Sequence, residues 1–164
     1  MRLLLLRGLP PLIVALLSLL SNPALAASST QVIFTSVTLT ATKSGGDTAI
    51  SLKVQNRGAS AVSVTAVSSR IAEGAMLFTD VNLLQGIHQM VGLPNISVRA
   101  GGVQTFGFRG IGAMLAGVTQ SLRRGEIVPL AVHWNNAAGS HVAQVWARVI
   151  LAPAHINFGM SGKA

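Results

Sequence analysis

The sequence predicts an all-β domain, a sandwich or barrel of short strands. Three observations predict it. Apolar residues alternate with polar ones at period two through most of the chain, Gly- and Asn-containing turns recur at close, regular spacing, and no segment holds a long 3.6-residue periodicity.

Taken in chain order, the first element stands apart from that domain. Arg2 and Arg7 precede and open an apolar run, Leu9 to Leu20. Ser21-Asn22-Pro23 then breaks the run, and small residues follow at Ala24 and Ala26. That is the layout of a secretory signal over residues 1–26, cleaved near Ala26. The run is shorter than the roughly 20 apolar residues an anchoring helix needs, and the chain has no cysteine to carry a lipid. The expected destination is the bacterial periplasm. The expected domain is 27–152, with a flexible tail at 153–164.

Within the domain, Ile33, Val37 and Leu39 share one parity. Ile50, Leu52 and Val54 alternate with Ser51, Lys53 and Gln55, and Val62, Val64 and Ala66 alternate with Ser63 and Thr65. Ile96 and Val98 form a short run, Phe106 and Phe108 are placed on one face, and Ile127–Trp134 and Val142–Leu151 read as the last two strands. Ser44–Asp47, Asn56–Gly58, Ala100–Gly102, Arg124–Glu126 and Asn135–Gly139 read as turns, because Gly and Asn tolerate positive φ. Ser69–Leu77 reads as room for a turn of helix.

Composition narrows function. Without cysteine, an exported chain has no disulfides and must be stabilised by packing. The net charge of +8 falls to +6 once Arg2 and Arg7 leave with the leader. The remaining basic residues are scattered, with only Arg123 and Arg124 adjacent, and there is no Tyr, so a nucleic-acid surface with stacking aromatics is not indicated. Asp47, Glu73, Asp80 and Glu126 are the only carboxylates, and no nucleophile elbow, zinc-protease motif or phosphate loop occurs, so an enzyme is not expected.

The order of segments carries a resemblance. Asn56-Arg57-Gly58, Ile96-Ser97-Val98-Arg99-Ala100-Gly101-Gly102, Gly110 with Met114-Leu115, Ser121 to Leu130, and Gly139 followed by alternating valines resemble the PCu(A)C family of periplasmic copper chaperones. The likeness spans about residues 30–151 and is strongest from Met90 to Val149. It implies a cupredoxin-like Greek-key β-barrel, and a carrier of Cu(I), in some members Cu(II), that often serves cytochrome oxidase assembly. The family motif is His-Met, ten residues, Met, twenty-one residues, His-x-Met. With its middle Met on Met90, its last Met falls on Met114, while its histidines fall on Phe78 and Gly112 and the Met after the first His falls on Thr79. Two thioethers survive and both imidazoles are absent, which weakens Cu(II) binding more than Cu(I) binding.

Other residues could complete a site. His88 lies two residues before Met90, so an extended segment would put both on one face. The competing reading of His88 is a surface histidine beside an edge strand. Met76 shares parity with position 78 but is read first as core packing. His155 and Met160 offer a thin second set in the tail. His133 and His141 flank a turn where they could approach each other, without a metal role, and Trp134 and Trp146 read as core or surface aromatics. Two main readings follow: a Cu(I) carrier built on Met90, Met114 and His88 that hands copper to a periplasmic recipient, or a copper-free assembly module of the same fold in which Phe78 joins an exposed apolar patch. A secreted adhesin-like domain is a weaker third.

Overall fold

The computed structural model describes residues 31–82 and 88–152. The leader and the tail carrying His155 and Met160 lie outside these residues. Ten strands follow one another: β1 Val32–Thr40, β2 Thr48–Asn56, β3 Val62–Ser68, β4 Ala72–Asn82, β5 His88–Leu93, β6 Ile96–Val98, β7 Val103–Phe106, β8 Ile111–Val118, β9 Ile127–Asn136 and β10 Gly139–Ile150. No helix occurs among the described residues, and none there could cross a membrane.

The strands form one hydrogen-bonded sheet in the order β5-β4-β8-β2-β1-β10-β9-β3-β6, with β7 pairing the far half of β2. Every pairing is antiparallel except β1 with β10. The chain crosses repeatedly between the two halves of this path, which wrap a shared core of Leu39, Ile50, Leu52, Val64, Leu115 and Leu130 among others. β3 packs beside β4 without ladder pairing, so the sheet curls toward closure and leaves a seam. A groove of about 390 Å³ opens in that seam, lined by Thr65, Val67, Met76, Leu77, Gly92 and Leu93.

Asn56 ties one end of the molecule. It is fully buried, and its amide donates to the carbonyls of Ser60, Val98 and Arg99 at 2.8–3.1 Å, while its Oδ1 accepts from the Gly58 N–H at 2.9 Å. The turn predicted at Asn56–Gly58 is therefore also a polar crosslink between two loops.

The structure corrects several local expectations. Ser69–Leu77 holds no helix: a turn at Arg70-Ile71 leads into β4, which is bonded on both edges. In β1 the core side chains are Val32 and Leu39, of opposite parity, because a bulge between Thr35 and Thr38 with Ser36 at φ 54° shifts the register and leaves Ile33 half-buried. Phe106 ends its strand in the core, whereas Phe108 lies in the following turn. His133 and His141 do not meet. His133 pairs with Val142 and His141 with Trp134, so they occupy opposite faces. His141 stacks on the buried Trp134 with ring centroids 4.2 Å apart, and His133 Nε2 reaches Ser68 Oγ at 3.2 Å. Trp146 is the surface aromatic, 67% exposed.

Candidate metal centre

β4 lies between β5 and β8, and its residues alternate between two faces. Leu77 points into the core against Ala113 and Leu93, its partners on either side. Met76, Phe78, Asp80 and Asn82 point the other way. The register places Gly92, Met90 and His88 of β5 opposite Phe78, Asp80 and Asn82. It places Met114 and Gly112 of β8 opposite Met76 and Phe78. Four of the five motif positions, 78, 90, 112 and 114, thus share one face of three adjacent strands, while Thr79 takes the opposite face.

The two histidine positions are direct cross-strand partners, and a single phenyl ring fills their place. Phe78 is fully buried yet stands outside the main core cluster. Its neighbours on both sides are glycines, Gly92 and Gly112. A Cβ at Gly112 would lie 2.6 Å from Phe78 Cζ and would collide with the Gly107 carbonyl oxygen. The turn Gly107–Gly110 closes over this position. Gly107 N–H donates to Ile111 O at 2.9 Å, and Asp80 N–H donates to Gly110 O at 2.6 Å. An imidazole at 112 would need both the ring and the turn to move. Full burial also removes Phe78 from any exposed apolar patch, correcting that part of the assembly-module reading. The exposed apolar groups on this face are Met76 and Met90.

The surviving donors stand around the ring. Met90 is 36% and Met76 37% exposed, so Met76 is not the core residue expected from the sequence, while Met114 is half-buried. His88 and Met90 share a face, as the two-residue spacing predicts. His88 Nδ1 lies 3.0 Å from the Asp80 carboxylate, which is nearly buried, and this contact leaves Nε2 as the nitrogen for other partners. Met90 and Met114 are not adjacent. Their β4 partners, Asp80 and Met76, are four residues apart, which is about 13 Å along a strand. Phe78 stands between them.

Comparison with known proteins assigns this arrangement a lineage. The family described as putative lipoprotein LpqE-like matches residues 29–146. The chain belongs to the LpqE-like family. The LpqE-like chain also matches solved structures of PCuAC domains. One, the copper-bound PCuAC domain from PmoF2, is 13% identical with a TM-score of 0.59, over 74% of this chain and 94% of that one. The solution structure of Cu(I)-DR1885 from Deinococcus radiodurans is 25% identical with a TM-score of 0.55, over 69% and 74%. Apo-DR1885 from the same organism is 22% identical with a TM-score of 0.56, over 93% and 97%. No curated protein sequence matches the chain. The PCuAC resemblance and the cupredoxin-like β fold read from the sequence both stand. The family description fits an exported chain, although its lipoprotein label sits beside a sequence without cysteine.

Sequence reasoning singled out Met76 by its position two residues before Phe78 but preferred core packing; its exposure and its place beside Met114 depend on the pairing of β4 with β8, which no local pattern reveals. Among the described residues no group of three or more His, Cys, Asp and Glu could hold a metal. Any site on this face is therefore one of thioethers, with at most one imidazole.

Proposed function

We propose that the LpqE-like chain is an exported Cu(I) carrier whose soft donors are Met90 and Met114, with His88 as the one imidazole on the same face among the described residues. The leader over residues 1–26 delivers it to the periplasm, where it passes copper to a recipient protein such as one assembling the copper site of cytochrome oxidase. The observation that carries this reading is the register. Both methionines stand where the family motif requires thioethers, on a solvent-accessible face of β4, β5 and β8. Thioethers favour Cu(I) over Cu(II) and over harder divalent ions, and loss of both family imidazoles sharpens that preference. Cargo that must be released benefits from an open, weakly held site. Few carboxylates and no nucleophilic motif support a carrier rather than a catalyst.

Anaerobic Cu(I) titration of the purified protein against a chelating competitor tests the reading. One equivalent should bind, and a Met90→Ala, Met114→Ala variant should lose it. Unchanged affinity in that variant would end the assignment.

A second reading rests on Phe78. A fully buried ring on a glycine is a well-filled space, as expected of a PCuAC fold that has given up copper and serves as an assembly module. Stoichiometric Cu(I) binding that resists competition would sink it.

A further inference from the structure

The carrier reading leaves the β4 partners of Met90 and Met114, Asp80 and Met76, four positions apart. We propose that Met76 closes that gap, making a three-thioether centre for a soft monovalent cation, Cu(I) or Ag(I), on the outer face of β4, β5 and β8. This inference rests on the carrier reading and supplies the donor that reading lacks.

Three observations converge on Met76. It is the direct cross-strand partner of Met114, which puts their Cβ atoms about 5 Å apart. Its side chain leans the other way, over β5: its methyl carbon lies 3.8 Å from where a Cβ on Gly92 would stand. Met90 is the next residue of β5 on that same face. The thioethers of Met114, Met76 and Met90 therefore form a chain across three strands, with Met76 as its middle link. Gly92 leaves this approach open: a Cβ there would only touch the Met76 methyl, and a longer side chain would compete with it for the space.

The surroundings fit a soft cation. Phe78 forms an apolar floor under the methionines and donates no lone pair. Asp80, the only carboxylate on this face among the described residues, is engaged with His88 at 3.0 Å. Methionine has three rotatable bonds and a polarisable sulfur, so modest rotamer changes bring such sulfurs together around one ion. A centre of neutral thioethers suits Cu(I) and Ag(I) and disfavours Cu(II) and Zn(II), which want imidazole, thiolate or oxygen donors. The seam groove, which Met76 and Gly92 also line, leaves one side of the centre open to an incoming donor from a recipient.

Packing offers a rival explanation, in which the methionines merely cap the phenyl ring through sulfur–aromatic contact. Ag(I) separates the two without redox side reactions. The probe is silver nitrate, added to the full exported chain with 13C-labelled methionine methyl groups. The methyl signals of Met76, Met90 and Met114 should shift together and saturate at one equivalent. Met76→Leu should weaken Ag(I) binding by at least about tenfold, about 1.4 kcal/mol, while its apo spectrum keeps the wild-type dispersion. Movement of Met90 and Met114 without Met76, or wild-type affinity in Met76→Leu, overturns the inference and leaves the carrier reading intact. No shift at any of the three overturns both.

Discussion

Asn56 and Phe78 are both fully buried, and they show two ways of using a position away from solvent. Asn56 is polar and makes four short hydrogen bonds to loop backbone. Every one of its partners would lose a bond without it. Phe78 is apolar and makes its contacts with flexible or small neighbours: glycines on both flanks, and methionines beside them. The first position holds the fold together through directional bonds. The second fills a space on a face that chemistry could otherwise use. A buried residue near a family motif is therefore not by itself evidence of retained chemistry; what it touches decides.

Asn56→Ala carries the largest expected effect. It removes a partner from the carbonyls of Ser60 and Val98 and from the buried Gly58 N–H, while the Arg99 carbonyl keeps its bond from the Gly102 N–H. With unsatisfied buried groups costing about 1–3 kcal/mol each, and partial relief from water, the expected loss is about 3–4 kcal/mol. Urea denaturation at equilibrium measures it. A loss below about 1 kcal/mol would mean that the loops rearrange to satisfy one another, and the contrast with Phe78 would collapse.

Phe78→Ala comes next, at about 3 kcal/mol, the low end for truncating a buried phenylalanine. Methionines beside the ring can settle into the space, which is the reason for the low figure. Gly112→Ala tests the same packing from the other side, with an expected cost of about 2 kcal/mol in thermal melts. The two clashes there are separable. Phe78→Leu combined with Gly112→Ala should recover only part of the loss, because the Gly107 carbonyl still stands in the way of a Cβ. Full recovery would show that the Gly107–Gly110 turn yields easily, and that a histidine at 112 could be accommodated after all.

This contrast also marks what could be read from sequence. β2, β9 and β10 announced themselves through alternation, because one face of each meets the core and the other meets solvent or a polar neighbour; β3 did so only as far as Val64, since a bulge between Val64 and Ala66 exposes Ala66 and buries Val67 instead. Asn56-Arg57-Gly58 was legible as a turn, though not as a crosslink. β4 and β8, which carry most of the candidate centre, were not legible as strands. Glu73-Gly74-Ala75-Met76 has no period-two signal, since all four are exposed, and the consecutive Leu77 and Phe78 are both buried, on opposite faces. In β8, Gly112 is buried as a glycine that makes room for a ring, a role that no hydropathy pattern encodes. The motif spacing picked out Met90 and Met114, which lie on one face, but only the pairing of β4 with β8 shows Met76 beside Met114. The β1 bulge at Ser36 inverted a parity for a similar reason: a local backbone kink is invisible to periodicity.

The smallest stability effect belongs to the residues with the largest proposed role in binding. Met90 is more than one-third exposed, and exchanging it for leucine keeps its volume and apolar character. Met90→Leu should change the apo protein's stability by less than about 0.5 kcal/mol. Added metal should then separate it from the wild type. A ligand that binds only the folded state at one hundred times its Kd stabilises by about 2.7 kcal/mol, so melting with Ag(I) should raise the wild-type Tm by several degrees and leave the variant nearly unmoved. Equal shifts in both would place the methionines of this face with Phe78, as filling for a vacated site. A shift confined to the wild type would show that the face stabilises little by itself because its thioethers remain free for cargo.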